Sequence, residues 1–205
     1  MKKHNVEQKS DEWFALRAEH PLTASNGTAI ATGGKGLETL CWTATAERLS
    51  TGEVERYTNE HMERGNDLEP DARVLYELET GSTVEEVGFI TNDKVSKKGG
   101  CSLDGSVNKD GNIEIKCPAD VKYLKLLAEY KSTGKITVEK GYMVQMQMQM
   151  MFSEKKWTDF MCYNPNFSPA YLIQRVEVDD TIVEKIKEGL KKGEELLEDI
   201  SNKLK

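Results

Sequence analysis

The sequence predicts an α/β (α+β) protein in which helices flank a small central β-sheet. Three observations carry this. Capped helical patterns fill the first third, β-type segments fill the middle, and an amphipathic stretch closes the chain. The order is therefore helices, strands, helical patterns, strands and a final helix, which suits a sheet covered by helices.

Each element has a local reason. In SDEWFALRAE, Ser10 is a residue type that caps helices, and Asp11 and Glu12 suit the positive end of the helix dipole ahead of Trp13, Leu16 and Arg17. PLTASNGTAIATGGKG reads as turn-rich. Helical patterns resume over TLCWTATAERLSTG, with Gly52 as the stop, and over NDLEPDARVLYELETG, stopped by Gly81. Strand signals follow in STVEEVGFITND, a Gly-Gly turn, GGCSLDGSV, a polar NKDGN turn and IEIKCP; the Asp-Gly pair is a hairpin cue. ADVKYLKLLAEYK and GYMVQMQMQMMFSE read as helices, KWTDFMCYN and PAYLIQRVEV as closing strands. In GYMVQMQMQM, helical spacing puts Met143, Met146 and Met150 in one core stripe with Gln145 and Gln149 beside it, and Gln147 pointing away. Val183, Ile186, Leu190, Leu197, Ile200 and Leu204 recur at helical spacing in the tail.

The 205 residues suit one domain, 1–205, with the helix at about 179–204 packing on the core or at a subunit contact. No apolar run reaches the length of a membrane span and the N-terminus lacks a signal-type apolar region, so a cytoplasmic protein is expected. Four scattered cysteines form no CxxC pair, and three histidines show no metal-binding spacing. The net charge of −7 weighs against a uniformly basic nucleic-acid surface. It is compatible with a local basic groove, or with clustered carboxylates holding Mg²⁺.

CSLDGSVNKDGNIEIKCP holds the candidate chemistry. Strand side chains alternate faces, so Ile113, Ile115 and Cys117 point one way, to pack under a helix. Glu114 and Lys116 share the other, open face. A hairpin through NKDGN can bring Asp104 beside Glu114. Two readings fit: a half-buried hairpin with a polar outer face, or a two-carboxylate Mg²⁺ site whose lysine orients an attacking water. Charged pairs two apart are common on exposed strands, so Glu114-x-Lys116 alone does not choose between them. LEPDAR adds Glu69 and Asp71 from an upstream helix.

Five ordered blocks sharpen the choice. SDEWFALRAEHPLTAS, GNDLEPDAR, SLDG, IEIKCP and YMVQMQ together resemble the YqaJ-type family of phage recombination exonucleases, typified by lambda exonuclease, within the PD-(D/E)xK nuclease superfamily. The resemblance implies a restriction-endonuclease-like core with a central mixed β-sheet flanked by helices. It matches Asp104 and Glu114 to the Mg²⁺-binding acids, with the Ile115 backbone carbonyl as a further ligand and Lys116 as the catalytic lysine. Glu69 matches an acidic helix residue supporting a second metal or its waters. Arg17, Thr23, Ser25, Ser102 and Gln145 fall where the family holds the 5′-phosphate of a DNA end, and Met62 where it inserts an apolar wedge. AEHPL, between Arg17 and Thr23, is one residue longer than the family spacing. Blander roles also fit the residues: a surface helix arginine for Arg17, helix caps for Thr23 and Ser25, a loop or core methionine for Met62.

The resemblance further implies a Mg²⁺-dependent 5′-to-3′ exonuclease. It would degrade one strand of linear double-stranded DNA from a 5′-phosphate end to 5′-mononucleotides, leaving a 3′ overhang. Mn²⁺ would substitute, and Ca²⁺ would bind without supporting catalysis. A ring-shaped homotrimer and a single-strand annealing protein as partner are implied, and no membrane. The alternatives are a related endonuclease, a repair or defence nuclease, or an inactive DNA-binding protein on the same core. The cysteine spacing does not fit the branch that carries an iron–sulfur cluster.

Overall fold

In the computed structural model the described backbone covers residues 1–52 and 60–205, and the side chains of residues 60–62 also lie outside the description. Met62, the expected wedge, falls there. The elements in order are β1 (Lys2–His4), α1 (Asp11–Glu19), β2 (Leu22–Thr23), a 3₁₀ turn (Ala24–Asn26), α2 (Gly27–Thr32), α3 (Lys35–Leu49) and α4 (Glu60–Thr80). There follow β3 (Val84–Asn92), β4 (Ser96–Val107), β5 (Gly111–Lys116), α5 (Asp120–Thr133), α6 (Lys140–Ser153), β6 (Trp157–Tyr163), β7 (Tyr171–Glu177) and α7 (Asp180–Lys203). No helix among the described residues is long and apolar enough to cross a membrane.

The strands form one mixed sheet in the order β1-β3-β4-β5-β6-β7, with β2 pairing β4 off that path. Parallel pairing occurs at β5–β6 and β2–β4. The β5–β6 connection runs through α5 and α6, as a parallel pair requires a crossover. This crossover lays α6 along the sheet.

Local signals explain most boundaries. Ser10 caps α1 by accepting from the Trp13 N–H at 3.2 Å. Gly81 ends α4 with φ of 66°. Three expectations need correction. PLTASNG is not loop: it supplies β2, the 3₁₀ turn and the start of α2, since Leu22, Thr23 and Ala24 are buried against the core. Gly99 and Gly100 are not a turn but lie inside β4, where β2 runs alongside them. The α3 helix ends at Leu49, ahead of Gly52, because Ser50 is already extended. The short β1 was not foreseen; three residues carry no periodicity, and pairing with β3 defines it.

The hairpin cue points to the right place for a different reason. Its turn residue with positive φ is Asn108, at 45°, while Gly111 sits in the strand opposite Val107. A Cβ on Gly111 would meet the Trp157 ring at 2.2 Å, so the glycine serves close packing.

Three apolar clusters fill the two faces. Ile113, Ile115, Val107 and Met161 pack with Ala72 and Tyr76 of α4. Met146 and Met150 of α6 pack with Tyr123, Leu127 and Phe160. Val144, Met148 and Phe152 face Leu22, Ile30, Leu37, Ile186 and Leu190. Helix α6 is thus buried nearly all round. Gln147 is buried too: its amide donates to the Glu177 carbonyl, and its Oε1 accepts from the Asp179 N–H.

Helix α7 is capped by Asp179, whose carboxylate accepts from the Thr181 and Ile182 N–H groups. Ile186 and Leu190 are fully buried, worth about 1.5–3 kcal/mol each. Leu204, placed on the apolar stripe by spacing, lies past the helix end and is exposed. The helix crosses α2 closely at Gly189, where a Cβ would stand 1.9 Å from the Ile30 carbonyl oxygen. Gly-to-Ala within a helix ordinarily stabilises by up to about 1 kcal/mol. Here the sign reverses: Gly189→Ala should destabilise by at least about 1–3 kcal/mol, read as a lowered urea midpoint with unchanged m-value.

Candidate active site

The hairpin register places the acids. Gly105 pairs with Ile113 and Ser106 with Asn112, so Asp104 stands opposite Glu114 one step further on. The Asp104 Oδ2 accepts the Ile115 N–H at 2.7 Å. The face carrying Glu114 is not open, as the alternation alone suggests. Helix α6 covers it, and Glu114 is 0% exposed. Such a carboxylate requires donors. It accepts from Lys116 Nζ and Gln145 Nε2 on Oε1, the latter at 2.7 Å, and from Gln149 Nε2 on Oε2 at 2.7 Å.

Asp104 faces a cleft of about 890 Å³ together with Glu69, Ile115, Lys116, Lys122 and Tyr142. Burial, then the neighbouring Glu114 and Glu69, push its carboxyl up to about 8 against the pull of Lys116 and the Ile115 N–H. Burial also raises Glu69, opposed by Arg73, Lys9 and Lys116. For Lys116 burial acts downward, but Glu114 and Asp104 outweigh it and hold the ammonium above the ordinary lysine range. Lys116 is therefore a cation and donor at neutral pH, not a base. Its Nζ also lies 5.1 Å from the Tyr142 ring centroid, and that ring stacks on Phe160. Burial pushes Cys117 up to about 11, which favours its neutral thiol at neutral pH.

Glu69 reaches the cleft from α4, where Arg73 one turn on holds its Oε1 at 2.7 Å. Arg73 Nε also donates to the Asp104 carbonyl at 3.0 Å, so one guanidinium ties α4 to β4. Asp71 is exposed and absent from the cleft lining. Among the described residues no three His, Cys, Asp or Glu side chains form a ready metal cage.

A second cluster gathers neutral donors around a guanidinium. Arg17 Nη2 donates to Thr23 Oγ1 at 3.3 Å and Ser25 Oγ at 3.2 Å, and the two hydroxyls are 3.1 Å apart. The longer AEHPL spacing therefore does not keep Arg17 from Thr23 and Ser25. Burial pulls the Arg17 guanidinium below its ordinary value, with Glu47 opposing, yet an arginine stays charged. Ser102 and Gln145 bond elsewhere: the Ser102 hydroxyl accepts from Trp13 Nε1 at 2.8 Å, and the Gln145 amide turns to Glu114. Gln149 joins the two clusters by donating to both the Ser102 carbonyl, at 3.2 Å, and Glu114.

The comparisons with known proteins bear on this arrangement. The YqaJ-like viral recombinase domain matches residues 12–156, most of the chain. The chain belongs to the YqaJ-like viral recombinase family. Two solved structures of an alkaline exonuclease, LHK-Exo from Laribacter hongkongensis, superpose with a TM-score of 0.77 at 34% identity and, for the complex with dAMP, 31%. Both comparisons cover 95% of this chain and 98% of the other. A phage-related exonuclease from Haemophilus somnus 129PT, 14% identical with a TM-score of 0.68 over 93% of this chain and 100% of its own, shares the fold. No match is found among the curated proteins. The family and the LHK-Exo likeness support a nuclease of the phage-exonuclease type with DNA as its substrate.

Three residues of this YqaJ-type site were missed by reading the sequence. Gln149 shares Gln145's helix face one turn on, and Arg73 follows Glu69 by four; both were legible as i,i+4 neighbours. Tyr142 carried no separate signal. Gln149→Met removes a donor from a buried charge and should lower stability by about 1–3 kcal/mol in chemical denaturation, despite the similar size of the side chain.

Proposed function

We propose that the protein is a Mg²⁺-dependent 5′-to-3′ exonuclease on linear duplex DNA, releasing 5′-mononucleotides and leaving a 3′ overhang for single-strand annealing. The observation that carries this is the junction of two clusters on one strand. Ser102, linked to Arg17 through the Trp13 ring, and Asp104, among the acids, are two residues apart on β4, about 6–7 Å along the strand and on the order of one nucleotide. An anion-holding pocket one nucleotide from the cutting site would measure out one unit from a 5′-phosphate end.

The donor set fits a hard divalent cation. Asp104, opposite the buried Glu114, lines open cleft space with Glu69 and Ile115, whose backbone carbonyl would add a further oxygen; such donors suit Mg²⁺, which keeps several waters. Burial first, and then the neighbouring Glu114, raise the Asp104 carboxyl, and a bound cation would favour its charged form. Bound there, a cation would supply a water of lowered pKa and positive charge beside the phosphate. Glu114 is held rigid by its three donors. Lys116, fixed by Glu114 and kept protonated, donates to the phosphate or the attacking water and offsets developing negative charge. Glu69, steadied by Arg73, would hold a second cation or its waters. Arg17, Thr23 and Ser25 bind the terminal phosphate, since a guanidinium with neutral hydroxyls suits that group. A homotrimeric ring would let an acidic protein enclose DNA in a channel, and an annealing protein would take up the exposed strand.

The test uses end-labelled linear duplexes with 5′-phosphate or 5′-hydroxyl, beside closed circular DNA, with Mg²⁺ or EDTA. Mononucleotides should appear from the phosphate end with Mg²⁺ alone, EDTA should abolish them, and the circle should persist. Cutting of the circle would sink the exonuclease reading. Lys116→Ala should lower the rate by about 10²-fold or more, the scale of losing a transition-state charge partner. Light scattering should give three times the chain mass.

A further inference from the structure

We propose that Trp13 is a positioning residue for the 5′-phosphate pocket, joining its two halves through one indole ring; this rests on the reading of the Arg17 cluster given above. The pocket draws on elements far apart in sequence: Arg17 from α1 and Ser102 from β4. Trp13 touches both. Its ring face carries the Arg17 guanidinium, whose carbon lies 4.5 Å from the ring centroid. Its Nε1–H donates to Ser102 Oγ at 2.8 Å and more distantly to the Gly88 carbonyl at 3.2 Å.

Both contacts leave the donors a phosphate needs. The guanidinium carbon lies over the indole ring while Nη2 donates to Thr23 and Ser25, and the same group would donate to an anion. The Ser102 hydroxyl accepts from the indole on one lone pair, which turns its own hydrogen away from Trp13 and leaves it to donate. A tryptophan combines a large π-face with a single N–H donor, and both are used here.

Core packing does not account for this residue. Helix α1 buries none of its side chains fully, and nine residues are too few to be stable as an isolated helix. Trp13 is itself only half-buried, with Phe14 edge-on at 4.9 Å. The seat of α1 on β3 and β4, and hence the place of Arg17, runs through the indole.

The experiment measures cleavage of matched linear duplexes bearing 5′-phosphate or 5′-hydroxyl by folded wild type and variants, each checked by thermal melting. Trp13→Leu removes both contacts and should cut the phosphate-to-hydroxyl rate ratio about tenfold or more, the scale of losing a charged hydrogen-bonding partner. Trp13→Phe keeps the ring but not the N–H, and should cut it about threefold, the scale of one neutral hydrogen bond. Added to Ser102→Ala, Trp13→Phe should lower the ratio little further, because the two changes remove the same bond. An unchanged ratio in Trp13→Leu, with both rates falling together, would overturn the proposal and leave the pocket standing. If Trp13→Leu does not fold, additive ratio losses in Trp13→Phe/Ser102→Ala would overturn it instead. A wild type without end preference would overturn the pocket reading and, with it, this role.

Discussion

A fully buried carboxylate, Glu114, organises the rest of the site. Burying such a charge costs several kcal/mol unless donors surround it. The protein supplies them from two directions: Lys116 two residues along the same strand, and Gln145 and Gln149 from the helix lying over it. This need explains why α6, otherwise packed by methionines, valine and phenylalanine, carries glutamines toward β5. It also fixes the position of α6 on the sheet, since a small shift would strand the charge.

Other parts of the cleft follow from that arrangement. Gln149 passes the constraint to β4 through the Ser102 carbonyl, so Glu114 and Ser102 are tied through one side chain. Arg73 passes it to α4, gripping the Asp104 carbonyl and Glu69 together. Further along the sheet, Arg175 clasps Asp159 at 2.8 and 2.9 Å, and Tyr76 of α4 donates to the same carboxylate at 2.7 Å. The cleft therefore has walls tied by charged hydrogen bonds and floored by strands.

Much of this was legible locally. Ser10 and Gly81 mark helix ends through capping and positive φ, which short sequences encode directly. The acids and lysine lie on adjacent strands joined by a three-residue turn, so alternation and a hairpin suffice to bring them together. Sequence order failed where long-range pairing decides. The second residue pair of β2, Thr23 and Gly100, and the three-residue β1 exist only because another strand lies beside them.

The sequence by itself determined most of the helix and strand pattern, the facing of Glu114 and Lys116, and the family the chain belongs to. Only the tertiary structure decided that this face is closed, because covering it depends on a helix about thirty residues later in the chain. It also decided that Arg17, Thr23 and Ser25 form one cluster despite their lengthened spacing, and that Trp13 joins it to Ser102. Periodicity reports which way a side chain points relative to its own backbone. What it then meets is set by packing between distant elements.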